Sequence, residues 1–146
     1  MATVRASRLI KAPVEKVFRT IAHIEEFEKA SPSIEKVEFL SDNKSGLGAR
    51  FRETRAMNGR QASSVLEVTE YEENRRVRFL SDEGGVIWDT MFTTAEEVAG
   101  SALLMEMEAR PHKLFARLMT PIIMGMVRKA IEGDMDAVKE YCETHS

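Results

Sequence analysis

Ile10-Lys11-Ala12-Pro13-Val14-Glu15-Lys16-Val17-Phe18 turns an extended segment into a helix within two residues. Upstream, Thr3 to Ile10 carries the β-formers Val4 and Ile10 and favours a strand. Ala12-Pro13 stops it. Proline suits the first helical position, because its missing N–H would be unpaired there anyway. Val14, Val17, Phe18 and Ile21 follow at helical spacing and predict a short helix from Pro13 to about Ala22. Ile24, Phe27 and Ala30 predict a second short helix that ends before Ser31-Pro32.

Downstream the period changes to two. Ile34 to Leu40 reads as a strand, Ser45-Gly46-Leu47-Gly48 as a turn, and Ala49 to Met57 as the next strand. Asn58-Gly59 is a strong hairpin signal, with Gln61 to Tyr71 as the return strand. Turns at Glu72-Glu73-Asn74, Glu83-Gly84-Gly85 and Ala99-Gly100 separate three further strands. These run around Val77 and Phe79, from Val86 to Thr94, and from Ser101 to Arg110. After Pro111 the helical period returns. Phe115, Leu118, Met119, Ile122, Met126 and Ala130 form an apolar stripe that continues through Val138 and Tyr141. Pro121 interrupts it, which predicts either one long kinked helix, the favoured reading, or a short turn before a main helix capped by Thr120.

The expected fold is therefore α+β. One strand, two short helices and six further strands give a strongly curved antiparallel sheet of about seven strands. Its apolar face needs a cover, and the long C-terminal helix has the length to provide one. A sheet wrapped around a single helix leaves room for an internal cavity.

The 146 residues suit a single domain, 1–146, with 43% hydrophobic and 31% charged residues, an ordinary globular balance. The net charge of −3 gives no general attraction to nucleic acid, so none is expected as a partner. Cys142 is the single cysteine, so no intramolecular disulfide can form. No run approaches the roughly 18 apolar residues of a membrane-spanning helix. The first eleven residues lack the apolar core of a signal peptide, and the expected location is cytoplasmic.

The run Ile10 to Phe18, followed by Pro32-Ser33-Ile34-Glu35-Lys36-Val37-Glu38, resembles the SRPBCC superfamily. That group includes START lipid-transfer domains, birch-pollen-allergen-like proteins and polyketide cyclase/dehydrase-like proteins. Gly48-Ala49-Arg50-Phe51 and Val68-Thr69-Glu70-Tyr71-Glu72, leading to Arg75-Arg76, extend the resemblance over essentially the whole chain. The family often has an aspartate near His23, and this chain departs from that. The resemblance implies a helix-grip fold around a ligand cavity. Its motifs are structural, and members include carriers, receptors, cyclases and regulators, so it does not name the ligand.

Several residues are candidates for that cavity. On the strand Ala49 to Met57, Phe51, Glu53, Arg55 and Met57 share one face. If Phe51 points inward, Glu53 and Arg55 do too, and they must then pair or bind a ligand, because an isolated buried charge is costly. A bulge or strand end would instead put both in solvent. Trp88, with Thr90 and Phe92, faces the interior in one of two strand phases, where it either offers an indole N–H to a ligand or, at least as readily, simply packs in the core; Asp89 would then be a solvated carboxylate. Leu66, Phe79, Leu103, Met105, Phe115, Leu118, Met119, Ile122 and Met126 complete the expected apolar lining. Its methionines suit a ligand of variable shape, although core filling is the better explanation of any one of them.

His112 lies where the last strand meets the helix and is a candidate acid or base, though a lone histidine there is more often a surface residue. His23 and His145 read as exposed. Ser63, Ser64 and Ser101 lack a nucleophile setting. No metal-ligand spacing occurs, so neither a metal nor another cofactor is expected. Cys142 reads as a small hydrophobe rather than a reactive thiol.

Three functions remain in play. The leading one is a non-enzymatic binder, transporter or sequestering protein for a small hydrophobic molecule such as a lipid, polyketide or aromatic. The second is a polyketide cyclase- or aromatase-like enzyme with Glu53 as base and Arg55 or His112 polarising a carbonyl. The third is an interaction module marked by an exposed apolar patch, on the two short helices or around Leu118 to Met126. A monomer and a homodimer both fit.

Overall fold

Pro13 adopts an extended conformation, φ −63° and ψ 149°, and is the N-cap of a helix that begins at Val14. The strand-to-helix switch therefore stands one residue later than its spacing suggests. The computed structural model describes residues 2–57 and 59–145; Asn58, half of the expected hairpin signal, and the side chain of Met57 lie outside the described residues.

The chain order is β1 (Ala2–Ile10), α1 (Val14–Ala22), α2 (Ile24–Ala30), β2 (Ile34–Phe39), β3 (Arg50–Met57), β4 (Arg60–Glu72), β5 (Arg76–Glu83), β6 (Val86–Glu97), β7 (Gly100–Pro111) and α3 (Leu114–Thr144). Seven strands form one antiparallel sheet in the order β1-β7-β6-β5-β4-β3-β2. Strands β2 to β7 are a meander whose neighbours are consecutive; short hairpin turns join β3 to β7, and the longer segment 40–49 joins β2 to β3. Only β1 joins from outside, pairing along its whole length with β7 from Ala2↔Ala109 to Ile10↔Ser101. The two short helices between β1 and β2 carry the chain across to the far edge of the sheet. This is the helix-grip arrangement expected above.

Gly100 makes the β1–β7 junction possible. Its φ is +147°, and a Cβ there would lie 2.1 Å from the carbonyl oxygen of Ile10, so only glycine fits. Gly59, in the β3–β4 hairpin where Met57 pairs with Arg60, has open space around it and is needed for its φ of +73° alone.

Helix α3 runs continuously through Pro121, so the separate-turn alternative does not arise. Thr120 donates its hydroxyl back to the Ala116 carbonyl at 2.6 Å instead of capping a second helix. The helix lies mainly against β1, with lesser contacts to β7, α1 and α2. Its buried residues are Ala116, Thr120, Met124, Ile131, Met135, Val138 and Cys142. Arg8 of β1 ties down its C-terminal half through Glu132 and Asp136, each at 2.8 Å.

This phase corrects the expected stripe. Phe115, Leu118 and Ile122 are 74%, 65% and 70% exposed. The first half of α3 is apolar almost all the way round, so hydrophobicity alone supports two phases. The second half decides between them, because Ile131, Met135 and Val138 have only one apolar side to offer the core. Small Ala116 and Thr120 consequently face inward.

Candidate functional site

Alternation along the strands aims one set of side chains at the concave side of the sheet. Phe51, Glu53 and Arg55 come from β3, Leu66 from β4, Phe79 and Ser81 from β5, Trp88, Thr90 and Phe92 from β6, and Met105 and Met107 from β7. With Ile123, Met126, Val127, Ala130, Ile131 and Asp134 of α3 and Phe27 of α2, they line an open cavity of about 430 Å3. That volume lies within the usual range for small-molecule pockets. Close contact of α3 with β1 at one edge, and not with β3 and β4, leaves this space between helix and sheet.

Ten of the expected lining residues border the cavity: Phe51, Glu53, Arg55, Leu66, Phe79, Trp88, Thr90, Phe92, Met105 and Met126. Leu103 is buried in the core but does not reach it, and Met119 is half-buried outside it. Phe115, Leu118 and Ile122 are on the outside of α3, for the phase reason given above. His112 is also outside. It is exposed and its Nε2 lies 2.8 Å from Asp82 Oδ1, held there because its backbone N–H bonds the Gly85 carbonyl beside the β5–β6 turn.

The polar feature of the cavity is a cluster of three charged groups. Arg55 Nε donates to Glu53 Oε2 at 3.0 Å, and Arg55 Nη1 lies 2.9 Å from Asp134 Oδ2. Ser31, immediately after α2, donates its hydroxyl to Asp134 Oδ1 at 3.1 Å. The Phe27 ring stands 6.0 Å from the guanidinium carbon, within reach of a cation–π contact. The three charged side chains are only 12–17% exposed. Burial pushes the Asp134 carboxyl above its ordinary range, and the nearby Glu53 carboxylate pushes the same way. Arg55 and Ser31 pull against them without reversing the shift.

Alternation along β3 groups Glu53 and Arg55 with Phe51, but the third member stands on a different element. Asp134 falls on the cavity face of α3 because it stands three and four residues after Ile131 and Ala130. An acid interrupting an apolar face at that spacing is the signal that would have found it. Ser81 is similar. It continues the inward series Val77-Phe79, is 8% exposed, and its hydroxyl has no hydrogen-bond partner among the described residues. Ser63, Ser64 and Glu83 also border the cavity; a Glu83 oxygen accepts the Val65 N–H at 3.0 Å.

Trp88 faces the cavity, but its N–H donates to the Glu83 carbonyl at 3.3 Å rather than standing free for a ligand. Its neighbour Asp89 accordingly points to the outer face. There it is not simply solvated, because Arg78 grips it bidentately and Arg110 Nη1 adds a contact at 3.0 Å. The Arg78 hydrogen bonds hold the Asp89 carboxyl below its ordinary range, with Arg110 assisting.

Among the described residues no three His, Cys, Asp or Glu side chains converge in a metal-binding arrangement. Burial pushes the Cys142 thiol up, and it donates to Thr20 Oγ1 at 3.4 Å. Ser101 is structural, donating to the Ala12 carbonyl at 2.6 Å. His23 is half-buried rather than exposed, 3.4 Å from the Tyr71 hydroxyl.

Residues 1–143 match the family described as "Polyketide cyclase / dehydrase and lipid transport". No curated protein sequence matches the chain. Among solved structures it is similar to a START superfamily protein from Mycobacterium smegmatis, with a TM-score of 0.78, 13% identity and 99% of each chain covered. It is similar to Ara h 8.0201 at a TM-score of 0.77 and 14% identity, with 97% of each covered. The di-domain ARO/CYC protein BexL, from the BE-7585A biosynthetic pathway, gives a TM-score of 0.80 at 11% identity, covering 99% of this chain and 51% of that one. At such identities these likenesses speak for the fold alone.

Proposed function

Because the chain belongs to the polyketide cyclase/dehydrase and lipid-transport family, we propose that it binds a small, uncharged, largely apolar molecule whose one oxygen-bearing end meets Glu53, Arg55 and Asp134. The observation that carries this reading is the Glu53–Arg55–Asp134 cluster opening onto a largely apolar cavity. Apolar burial supplies affinity at roughly 25 cal/mol per Å2, and the cluster supplies orientation. A hydroxyl or carbonyl on the ligand exchanges hydrogen bonds with the carboxyl groups and the guanidinium. A ligand carboxylate does not suit the site. Glu53, Asp134 and Glu83 already border the cavity against one cation, Arg55, so a further negative charge would be repelled. In this reading residues 1–146 act as one carrier domain in the cytoplasm.

Trp88 provides the test. Its emission is followed during titration with a quinone, a flat polyphenol and a fatty acid, with Trp88→Phe as control. Saturation at micromolar quinone or polyphenol, about −8 kcal/mol, with weaker fatty-acid binding, is the expected result. No saturable response to any of the three would overturn the proposal.

One observation favours a second reading, a cyclase-like enzyme. Asp134 is a carboxyl whose pKa is raised beside a guanidinium and a second carboxylate, an arrangement suited to general acid–base work. Glu53 would take the proton, Arg55 would polarise a carbonyl, and Asp134 would return a proton. His112 has no place in it. Turnover of a poly-β-ketone that survives both Glu53→Gln and Asp134→Asn would rule this out.

A further inference from the structure

Leu114, Phe115, Leu118 and Ile122 are 75%, 74%, 65% and 70% exposed on the first half of α3. At 100° per residue they share an arc of about 100° on one side of the helix. Four large apolar side chains standing in solvent on one face mark a contact surface rather than scattered exposure. Along this half-helix the charges are all of one sign. Lys113, Arg117, Arg128 and Lys129 are exposed, and no Asp or Glu occurs between Glu108 and Glu132, although the chain as a whole carries −3. Among the described residues none of these four cations has a carboxylate partner. The same half-helix lines the cavity with Ile123, Met126 and Val127, so the exposed stripe continues around the helix into the cavity wall.

We infer that this face docks on an anionic lipid bilayer. The apolar stripe enters the boundary between headgroups and acyl chains while the flanking cations meet the lipid phosphates. Charge complementarity selects this occupant over a second copy of the chain. A two-fold contact would set an all-cationic stripe against itself, whereas an anionic membrane answers both the apolar and the basic character. Docking in this way turns the helix-lined side of the cavity toward the lipid. The inference stands on the surface of α3 and does not depend on what the cavity holds.

Co-flotation of the full chain with vesicles tests it, using phosphatidylcholine alone and phosphatidylcholine with phosphatidylglycerol in equal parts. The protein is expected to float with the anionic vesicles, to stay behind with the zwitterionic ones, and to be released by salt. Arg117→Glu with Lys129→Glu should weaken partitioning by well over tenfold, since each basic side chain contributes roughly fivefold. Leu118→Ser with Ile122→Ser should weaken it to a similar degree while leaving the circular dichroism unchanged, because both residues are already in solvent. No binding to anionic vesicles, or equal binding to both kinds, would overturn the inference. So would a wild-type dimer in sedimentation that Leu118→Ser with Ile122→Ser converts to a monomer without affecting flotation.

Discussion

Arg55 of β3 and Asp134 of α3 lie 79 positions apart in sequence and meet at 2.9 Å in the cavity, with Glu53 on the other side of the guanidinium. The contact joins the sheet to the helix where few other groups do. It also makes a largely buried arginine tolerable, because a guanidinium with two carboxylates and a π-face is paired on several sides.

Arg55→Met leaves two carboxylates facing each other out of water. Removing one partner of a buried ion pair costs about 3 kcal/mol, and that loss is expected near pH 7. It should shrink toward pH 4.5 as Asp134, whose carboxyl burial already holds above its ordinary range, takes up a proton. Urea denaturation at both pH values measures it, and an equal loss at both would remove the electrostatic explanation.

Asp134 titrates in the opposite sense to a typical paired carboxylate. Burial holds its folded pKa above the ordinary 3.8, so folding favours the protonated form. That contribution is complete below the unfolded value and is lost as the pH rises through the raised folded value. Asp134→Asn cannot titrate. Its stability relative to the wild type should therefore improve as the pH rises from about 4 to 7. A difference independent of pH would contradict the raised pKa.

Asp89 on the outer face behaves conventionally. The Arg78 hydrogen bonds lower its pKa, so its contribution is present above about 3.8 and disappears as the pH falls through the depressed folded value. Asp89→Asn should cost about 1 kcal/mol near neutrality, the scale of a partly exposed pair, and almost nothing in strong acid. Thermal melts across that acid range, repeated at high salt, show whether the penalty is electrostatic.

The phase of α3 is directly testable. Leu118→Ser should change stability by less than about 0.5 kcal/mol, as surface substitutions do. Met135→Ala should cost about 2–5 kcal/mol, because Met135 is 1% exposed in the core. Chemical denaturation of the two variants side by side decides it, and the reverse ranking would restore the phase that reads Phe115, Leu118 and Ile122 as inward.

Strand and turn order was legible because each signal is local. Pro13, Gly59 and Gly100 act on the backbone around them, and period-two alternation assigns the faces of β3 from Phe51 onward. The same alternation suffices to put Glu53 and Arg55 on the cavity side once Phe51 is known to be inside. Trp88 is different, because Val86-Ile87-Trp88-Asp89 has apolar residues in both phases. Only the pairing of Ser81 with Trp88 and of Thr90 with Met107 fixes which face looks inward.

By itself the sequence determined the helix-grip order of elements and the strand faces with one polar side, and it put Glu53 and Arg55 on the same face as Phe51, all of which follow from spacing within a few residues. The tertiary structure alone decided the rotation of α3, and with it Asp134 as the third member, the solvent position of Phe115, Leu118 and Ile122, and the distance of His112 from the cavity. A helix that is apolar on several sides has no preferred rotation of its own. Its phase is set by the partners it meets, here Arg8 and the buried face of β1, and those contacts join residues more than a hundred positions apart.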